Sequence, residues 1–526
     1  MSDQLQNTPS EEDAIITAAS QSIIETKVVE NPRAEAESLA ILEQHFGNDP
    51  TQKSTAAKEP RPLTQMEESI FEQGGLPFAA HEETGKIELN QLSVAKAFTH
   101  QEVMHYDATL RQFCRYDQNS GLWKPESAET THKQMVEYLG FLGEDKGYQQ
   151  FVRRQKVGTI NSLITFAKAN DVKPTVEDTN GLFHVANGVL NLLDGNPALL
   201  PHSIDYPFRK SSMITYDAQA SCPRFQTELL DPALSKEDQQ LLQTLFGGML
   251  LGENQAQKIL LIRGTPGGGK STLVTIIEKI LGEHKVAYLR AKNLNGRFET
   301  AGFIGRSVLV GKDVPGDTLS DNGARQLKAL TGGDLMEGEI KFQQHRPQMK
   351  GNFHVIIVSN NHLRIALDGD DGAWQRRLVT VDFNREIPKK AIVNFADLLV
   401  TEEGPGILNW LIEGAIRYQQ QLAEGGRIVL SNEQNERVYN LLRNSDSVRA
   451  FIEQHLEARP GTDISSTELL MTYITACHEN GWQAVSEKKF LETVADEVLK
   501  RHSIRRRHDI MRHGTAVRGF KGIAIV

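Results

Sequence analysis

The segment Gly264-Thr265-Pro266-Gly267-Gly268-Gly269-Lys270-Ser271-Thr272 restricts the folds open to this chain more than any other. It follows the apolar run Ile259-Leu-Leu-Ile262 and precedes Leu273-Val-Thr-Ile-Ile277, so it reads as strand, glycine loop and helix. Glycines let successive backbone N–H groups turn inward around phosphate oxygens. The following helix adds the positive end of its dipole. In that setting Lys270 reaches the β- and γ-phosphates and Ser271 holds Mg²⁺. A chance glycine-rich turn is the plain alternative. The matching flanks and the further pieces downstream count against it.

Composition sets the frame. A chain of 526 residues exceeds one small core and predicts several domains. Charged residues make up 24% and hydrophobic ones 39%, ordinary for a soluble protein. No apolar run approaches the roughly 18–20 residues of a membrane span. The start, Met-Ser-Asp-Gln, lacks a signal-peptide pattern. Cys114, Cys222 and Cys477 lie far apart without CxxC spacing, which argues against a zinc site or disulfide framework and fits a reducing cytoplasm. The net charge of −10 excludes a globally basic nucleic-acid coat. It leaves room for a locally basic channel, because exposed charges are screened beyond about 8–10 Å.

The pattern along the chain predicts a multidomain α/β protein. Residues 1–75 read as an acidic, disordered tail, in which Ala36–Phe46 is either a partner-binding helix or a solvated linker. Residues 76–230 read as an α+β domain, with ordered structure expected from about Ser93. Two hairpins are expected there, at Phe113–Lys124 and at Leu182–Leu193. Residues 231–390 alternate apolar strands with helices, as an α/β nucleotide-binding core does. Residues 391–429 read as a helical connector and 430–526 as a small C-terminal domain.

Further pieces follow the glycine loop. Ser307-Val-Leu-Val-Gly-Lys-Asp313 is an apolar strand ending in an acid, which either joins Ser271 at Mg²⁺ or begins a turn. Gln326–Gly333 reads as a helix ended by glycines, and Leu335–Phe342 as a strand. The polar turn after it holds His345, Arg346 and Lys350, suited to gripping a phosphate backbone or simply to a solvated tip. Asn360 ends the next strand, where an amide senses a γ-phosphate or favours a turn. Arg376 and Arg377 precede another strand. One would reach a neighbour's γ-phosphate, and at least one is expected to be structural.

Near the C-terminus, Ser465–Cys477 and Ser486–Leu499 read as helices, the second capped by Ser486. Arg505, Arg506 and Arg507 open two short strands, about 504–511 and 516–525. Helix-turn-helix plus basic wing predicts duplex DNA binding; a basic tail or a subunit contact is the alternative.

Taken in this order, the parts resemble the superfamily 3 helicases, specifically the helicase half of phage and plasmid replication proteins related to the poxvirus helicase-primase. The resemblance covers roughly residues 95–385 and, more weakly, 430–526. It rests on Asn187-Gly-Val-Leu-Asn-Leu192, Pro201-His202, Tyr216–Pro223, Gly247–Gly252, Lys328–Asp334, Ser359-Asn360-Asn361 and Gly372-Ala-Trp-Gln-Arg376-Arg377. It implies a P-loop NTPase core of AAA+ type, a pre-helicase α+β domain and a C-terminal winged-helix-like domain. It further implies a homo-oligomeric ring, usually a hexamer, with ATP and Mg²⁺ between subunits and single-stranded DNA in the channel. Lys328, Lys341, His345, Arg346 and Lys350 would face that DNA.

Three departures stand out. Gly268 occupies a position where the family often has Asn. The acidic strand ends in Lys312-Asp313, and an adjacent Lys could pair with the acid and slow hydrolysis, with Asp317 or Asp321 in support. Only the acidic stretch precedes the family-like region, so no primer synthesis is expected; a separate primase or other replication protein would bind through that tail. The expected function is ATP-driven unwinding or melting of DNA for replication of a phage, plasmid or related mobile element, in a bacterial host's cytoplasm. The alternatives are a nucleotide-gated origin-binding assembly protein with little turnover and, more weakly, a small-molecule P-loop kinase.

Overall fold

The computed structural model describes residues 62–526, apart from 82–83, 109, 146, 171, 174–180, 291–298, 315–320, 339–347, 361–364, 366–370, 385–391, 481 and 483. The chain divides into two units, one ending at Glu177 and including Ser203–Arg209, the other comprising Asp178–His202 and Lys210–Val526.

The first unit opens with helix α1 (Gln65–Gly74), started by a Thr64/Glu67 capping box and burying Ile70 and Phe71. This helix lies within the stretch expected to be tail up to residue 75, because the box and its apolar pair stabilise order in a polar stretch. Strands β1 (Phe78–Ala80) and β2 (Ile87–Leu89) pair antiparallel, and helix α2 (Gln91–Gln101) follows, capped by Asn90. Strands β3 (Met104–Asp107), β4 (Gln112–Asp117) and β5 (Leu122–Pro125) form a meander. After helices α3 (Ala128–Asp145) and α4 (Val157–Asn170), β6 (Val172–Lys173) pairs parallel to β3. The hairpin expected at 113–124 is β4–β5, with Tyr116 opposite Trp123.

The second unit begins with β7 (Leu182–Val185), β8 (Gly188–Asn191) and β9 (Ala198–Leu200). The two-residue turn Ala186-Asn187 sets Val185 opposite Gly188. The expected domain end at 230 therefore does not hold: residues 182–202 and 210–230 pack with the motor. Phe183, Val185, Leu190 and Phe225 share a core with Leu260 and Ile262.

That core is built on a five-stranded parallel sheet. Helix α5 (Lys236–Gly248) leads into β10 (Ile259–Arg263). Then come α6 (Lys270–Leu281), β11 (Val286–Tyr288), β12 (Val308–Gly311), α7 (Asp321–Gly332), β13 (Leu335–Glu337), β14 (Gln348–Lys350), β15 (His354–Ser359), α8 (Asp371–Arg377) and β16 (Leu378–Asp382). The strand order is β11-β12-β15-β10-β16, while β13 and β14 form a separate antiparallel ribbon. Both faces of the central strands are covered, so β10, β12, β15 and β16 are mostly apolar and buried. Alternate residues divide between two cores: Leu260, Ile262, Ile356 and Val379 face one, and Ile259, Leu261, Ile357 and Leu378 face the other.

Helix α9 (Phe395–Gly425) carries Pro405 inside it and packs along α5. Gly247 and Gly414 sit where the two backbones nearly touch: a Cβ on Gly414 would lie 1.8 Å from the Gln243 carbonyl oxygen. Helix α10 (Asn432–Ser445) sends Val438, Leu441 and Leu442 into the second core. The C-terminal module thus begins after α10, not at 430. It runs α11 (Ser447–His455), β17 (Leu456–Ser465), α12 (Ser466–Glu479), α13 (Glu487–His502), β18 (Arg507–Arg512) and β19 (Thr515–Ile525). Its sheet order is β17-β19-β18, and its core is its own, around Phe451, Tyr473, Phe490 and Phe520.

Candidate functional site

The glycine loop leaves the C-terminal end of β10, between β15 and β16, and enters α6. Its glycines are needed individually. Gly264 (φ 148°) lies so close to β16 that a Cβ would sit 2.2 Å from the Phe383 carbonyl oxygen. Gly267 (φ 78°) and Gly269 (φ 103°) adopt left-handed backbone that other residues resist. Thr265, Pro266 and Gly267 form an exposed crest, Gly268 is buried, and the Ser271 side of α6 is exposed while Thr272 is half-buried. Beneath the loop, Arg263 and Asp382 pair across neighbouring strands.

Lys270 is 4% exposed and folds back over the loop, its Nζ donating to the carbonyls of Gly264 (2.8 Å) and Thr265 (2.7 Å). Burial lowers its pKa, and the Asp313 carboxylate opposes that shift. Lys270 therefore feels the charge of Asp313.

Asp313 follows β12 in left-handed backbone (φ 53°) and is exposed. The turn is tied to the end of β15: Val314 N–H donates to the Val358 carbonyl at 3.0 Å, and Ser359 Oγ donates to the Val314 carbonyl at 2.7 Å. Asn360 Nδ2 points at Asp313 Oδ1, 3.5 Å away. The adjacent Lys312 does not pair with Asp313. Its Nζ donates to Glu278 Oε2 (2.7 Å) and Thr275 Oγ1 (3.2 Å) on α6, and lies 5.7 Å from the Tyr288 ring centre. Asp313 leaves the strand in left-handed backbone, and this turn separates its side chain from that of Lys312. Glu278 escaped the sequence reading because only the fold brings α6 beside β12. Asp317 lies outside the described residues.

The paired arginines lie elsewhere. Leu378 pairs with Ile259, so Arg376 and Arg377 stand at the end of β10 opposite Gly264, roughly 16 Å along the strand. Neither reaches the loop of its own chain. Arg377 is buried and donates Nη1 to the Ala373 carbonyl at 3.3 Å. Arg376 is exposed, and its carbonyl accepts the Lys258 ammonium at 2.8 Å.

Among the basic residues assigned to DNA, Lys341, His345 and Arg346 lie outside the described residues. Lys350 pairs with Glu253 at 3.4 Å, with Lys350 58% exposed, and Leu335 opposite it is also exposed. Lys328 is half-buried, its ammonium 5.8 Å from the Trp374 ring centre. In the C-terminal module, Arg507 is held by Asp509, and Arg512 by Asp463 and Glu468. Arg506 donates to Ser466 Oγ at 3.1 Å, and Arg505 is exposed. In the first unit, ligand atoms of His105, Asp107 and Cys114 lie within 4.8 Å of one another, a grouping the sequence reading missed. Arg209 already pairs with Asp107 there.

Residues 94–231 match the family described as D5 N terminal like. Residues 262–377 match a family of unknown function, DUF5906, a span that holds the glycine loop, Asp313, Asn360 and Arg376. No curated protein matches the chain significantly. Similar solved structures include the apo structure of the NrS-1 C-terminal region (305–718), 12% identical over 82% of this chain and 99% of that one, with a TM-score of 0.43. The A-form apo structure of the same region is 11% identical over 82% of this chain and 100% of that one, with a TM-score of 0.44.

Proposed function

We propose that the chain is an ATP-driven DNA helicase of replication, of the superfamily 3 type, acting as a ring of copies. The observation that carries this reading is the joint placement of Lys270, Asp313 and Asn360 at one end of a parallel sheet while Arg376 stands at the other. Arg376 stands too far along the strands to reach a nucleotide on its own loop, so the charge it adds beside Lys270 and Mg²⁺ would go to the nucleotide of a second copy. The D5 N terminal like match upstream of the motor supports the replication setting.

The loop fits a triphosphate. Lys270 gives two N–H groups to neutral loop carbonyls, and phosphate oxygens are stronger acceptors for the same donors. Ser271 and Asp313 are the residues for Mg²⁺, which when bound neutralises charge on the phosphates. Asn360, beside Asp313, orients the attacking water, and Arg376 of one copy stabilises charge on the nucleotide of the next. The module after α10 has the helix-strand-helix-helix-strand-strand order of a winged helix and supports duplex binding through its basic strand end.

The assembly-protein alternative drew on Lys312 quenching Asp313. Lys312 pairs with Glu278 instead, which favours turnover. The test is ATP hydrolysis with and without single-stranded DNA, beside unwinding of a forked duplex. DNA-stimulated hydrolysis and strand separation, both lost in Lys270→Ala, are expected. Hydrolysis indifferent to DNA would point to the kinase reading, and assembly without turnover to the assembly protein.

A further inference from the structure

At the sheet end away from the glycine loop lies a cavity of about 800 Å³. Gln257 and Lys258 enter it before β10, Gln375 and Arg376 from α8, Arg427 from the turn after α9, and Asn435 from α10. Its described lining includes three cations and no Asp or Glu. Such a set repels itself. The Lys258 ammonium is pushed down to about 8, by burial first and by Arg427 next. Lys258 stays because its Nζ donates to the Arg376 carbonyl, which also fixes the start of β16. The wall at Gly425-Gly426 has no side chains, with Gly426 at φ 65°, so a ligand can approach the backbone there.

Three cations in one described lining that holds no carboxylate call for an anion, and the cavity is far larger than one phosphate. The amides of Gln257, Gln375 and Asn435 add neutral polar contacts of the kind a ribose or base takes. We infer that this cavity is a second phosphate-binding site, in which Lys258, Arg376 and Arg427 take the polyphosphate of a nucleotide. The nucleotide is either free or held on the glycine loop of a second copy. The site goes beyond the helicase reading: it shares Arg376 with the proposed contact between copies and adds Lys258 and Arg427, which that reading does not use.

The test is chemical. Full-length protein is acetylated at pH 8, with and without inorganic triphosphate or a non-hydrolysable ATP analogue, and modification is read at Lys258 by peptide mass spectrometry. Exposed Lys488 is the internal reference. Triphosphate should protect Lys258 and leave Lys488 unchanged. Arg427→Gln, at an exposed turn, should raise the concentration needed by about tenfold or more. Protection by the analogue that survives in Lys270→Ala identifies free nucleotide. Protection lost in Lys270→Ala but restored by adding isotope-labelled wild-type copies identifies nucleotide held by a neighbour. Absence of protection by either anion, protection by a single-stranded oligonucleotide alone, or an Arg427→Gln protein indistinguishable from wild type would overturn the inference. The labelling result does not depend on turnover, so this site and the helicase reading fail separately.

Discussion

Lys312 and Asp313 are adjacent in the chain and separated in space, and this decides how the acid is used. With Lys312 drawn to Glu278, Asp313 faces Asn360 and the neighbourhood of Lys270. Asp313→Asn should lower ATP hydrolysis by about 10²-fold or more while nucleotide binding persists. Lys312→Met should leave the rate within a few fold; a loss equal to that of Asp313→Asn would show that Lys312 acts in the site. His354 makes a separate, thermodynamic prediction. It is buried at the start of β15, and desolvation pushes its pKa down to about 4. An unfolded histidine titrates near 6.5, so between those values the unfolded chain binds the extra proton and stability falls with acid. The loss should begin as pH drops below about 6.5 and reach about 3 kcal/mol near pH 4. His354→Gln should flatten that part of the curve, measured by denaturant melts across pH.

At the scale of elements, the α5–α9 crossing is the tightest point of the motor. A Cβ on Gly247 would lie 2.1 Å from the Ala415 backbone nitrogen, so Gly247→Ala should destabilise the protein by about 2–3 kcal/mol in thermal or chemical melts. In the C-terminal module, Arg507 is engaged by Asp509 and Arg505 is exposed. Arg505→Ala should therefore reduce the salt slope of duplex binding by about 0.9, and Arg507→Ala by less. Equal slopes in both variants and wild type would remove this strand from the DNA contact. The local pieces of this architecture were readable from the sequence: the glycine loop between strand and helix, both hairpin turns, and the Ser486 cap. Strand β17 was not: Pro460 and Gly461 interrupt its pattern, and the ladder accommodates them with an irregularity between Ala458 and Asp463. Helix α1 hid in a polar stretch, held by one capping box and by the apolar burial of only Ile70 and Phe71. The Lys312–Glu278 pair and the Lys258–Arg427 cavity join residues distant in sequence, and no local pattern marks such meetings.

At the scale of the whole molecule, the glycine loop and Arg376 occupy opposite ends of the same strands, and a single chain cannot bring them together. A head-to-tail assembly does so in every copy, because each interface then presents one loop and one arginine. The direct measurement is ATP hydrolysis by mixtures of Lys270→Ala and Arg376→Ala proteins. Each variant alone should be nearly inactive. Equal mixing should restore about one quarter of the wild-type rate, the share of interfaces that pair an intact loop with an intact arginine. A mixture no more active than its separate components, or an Arg376→Ala protein with the full rate by itself, would contradict the account.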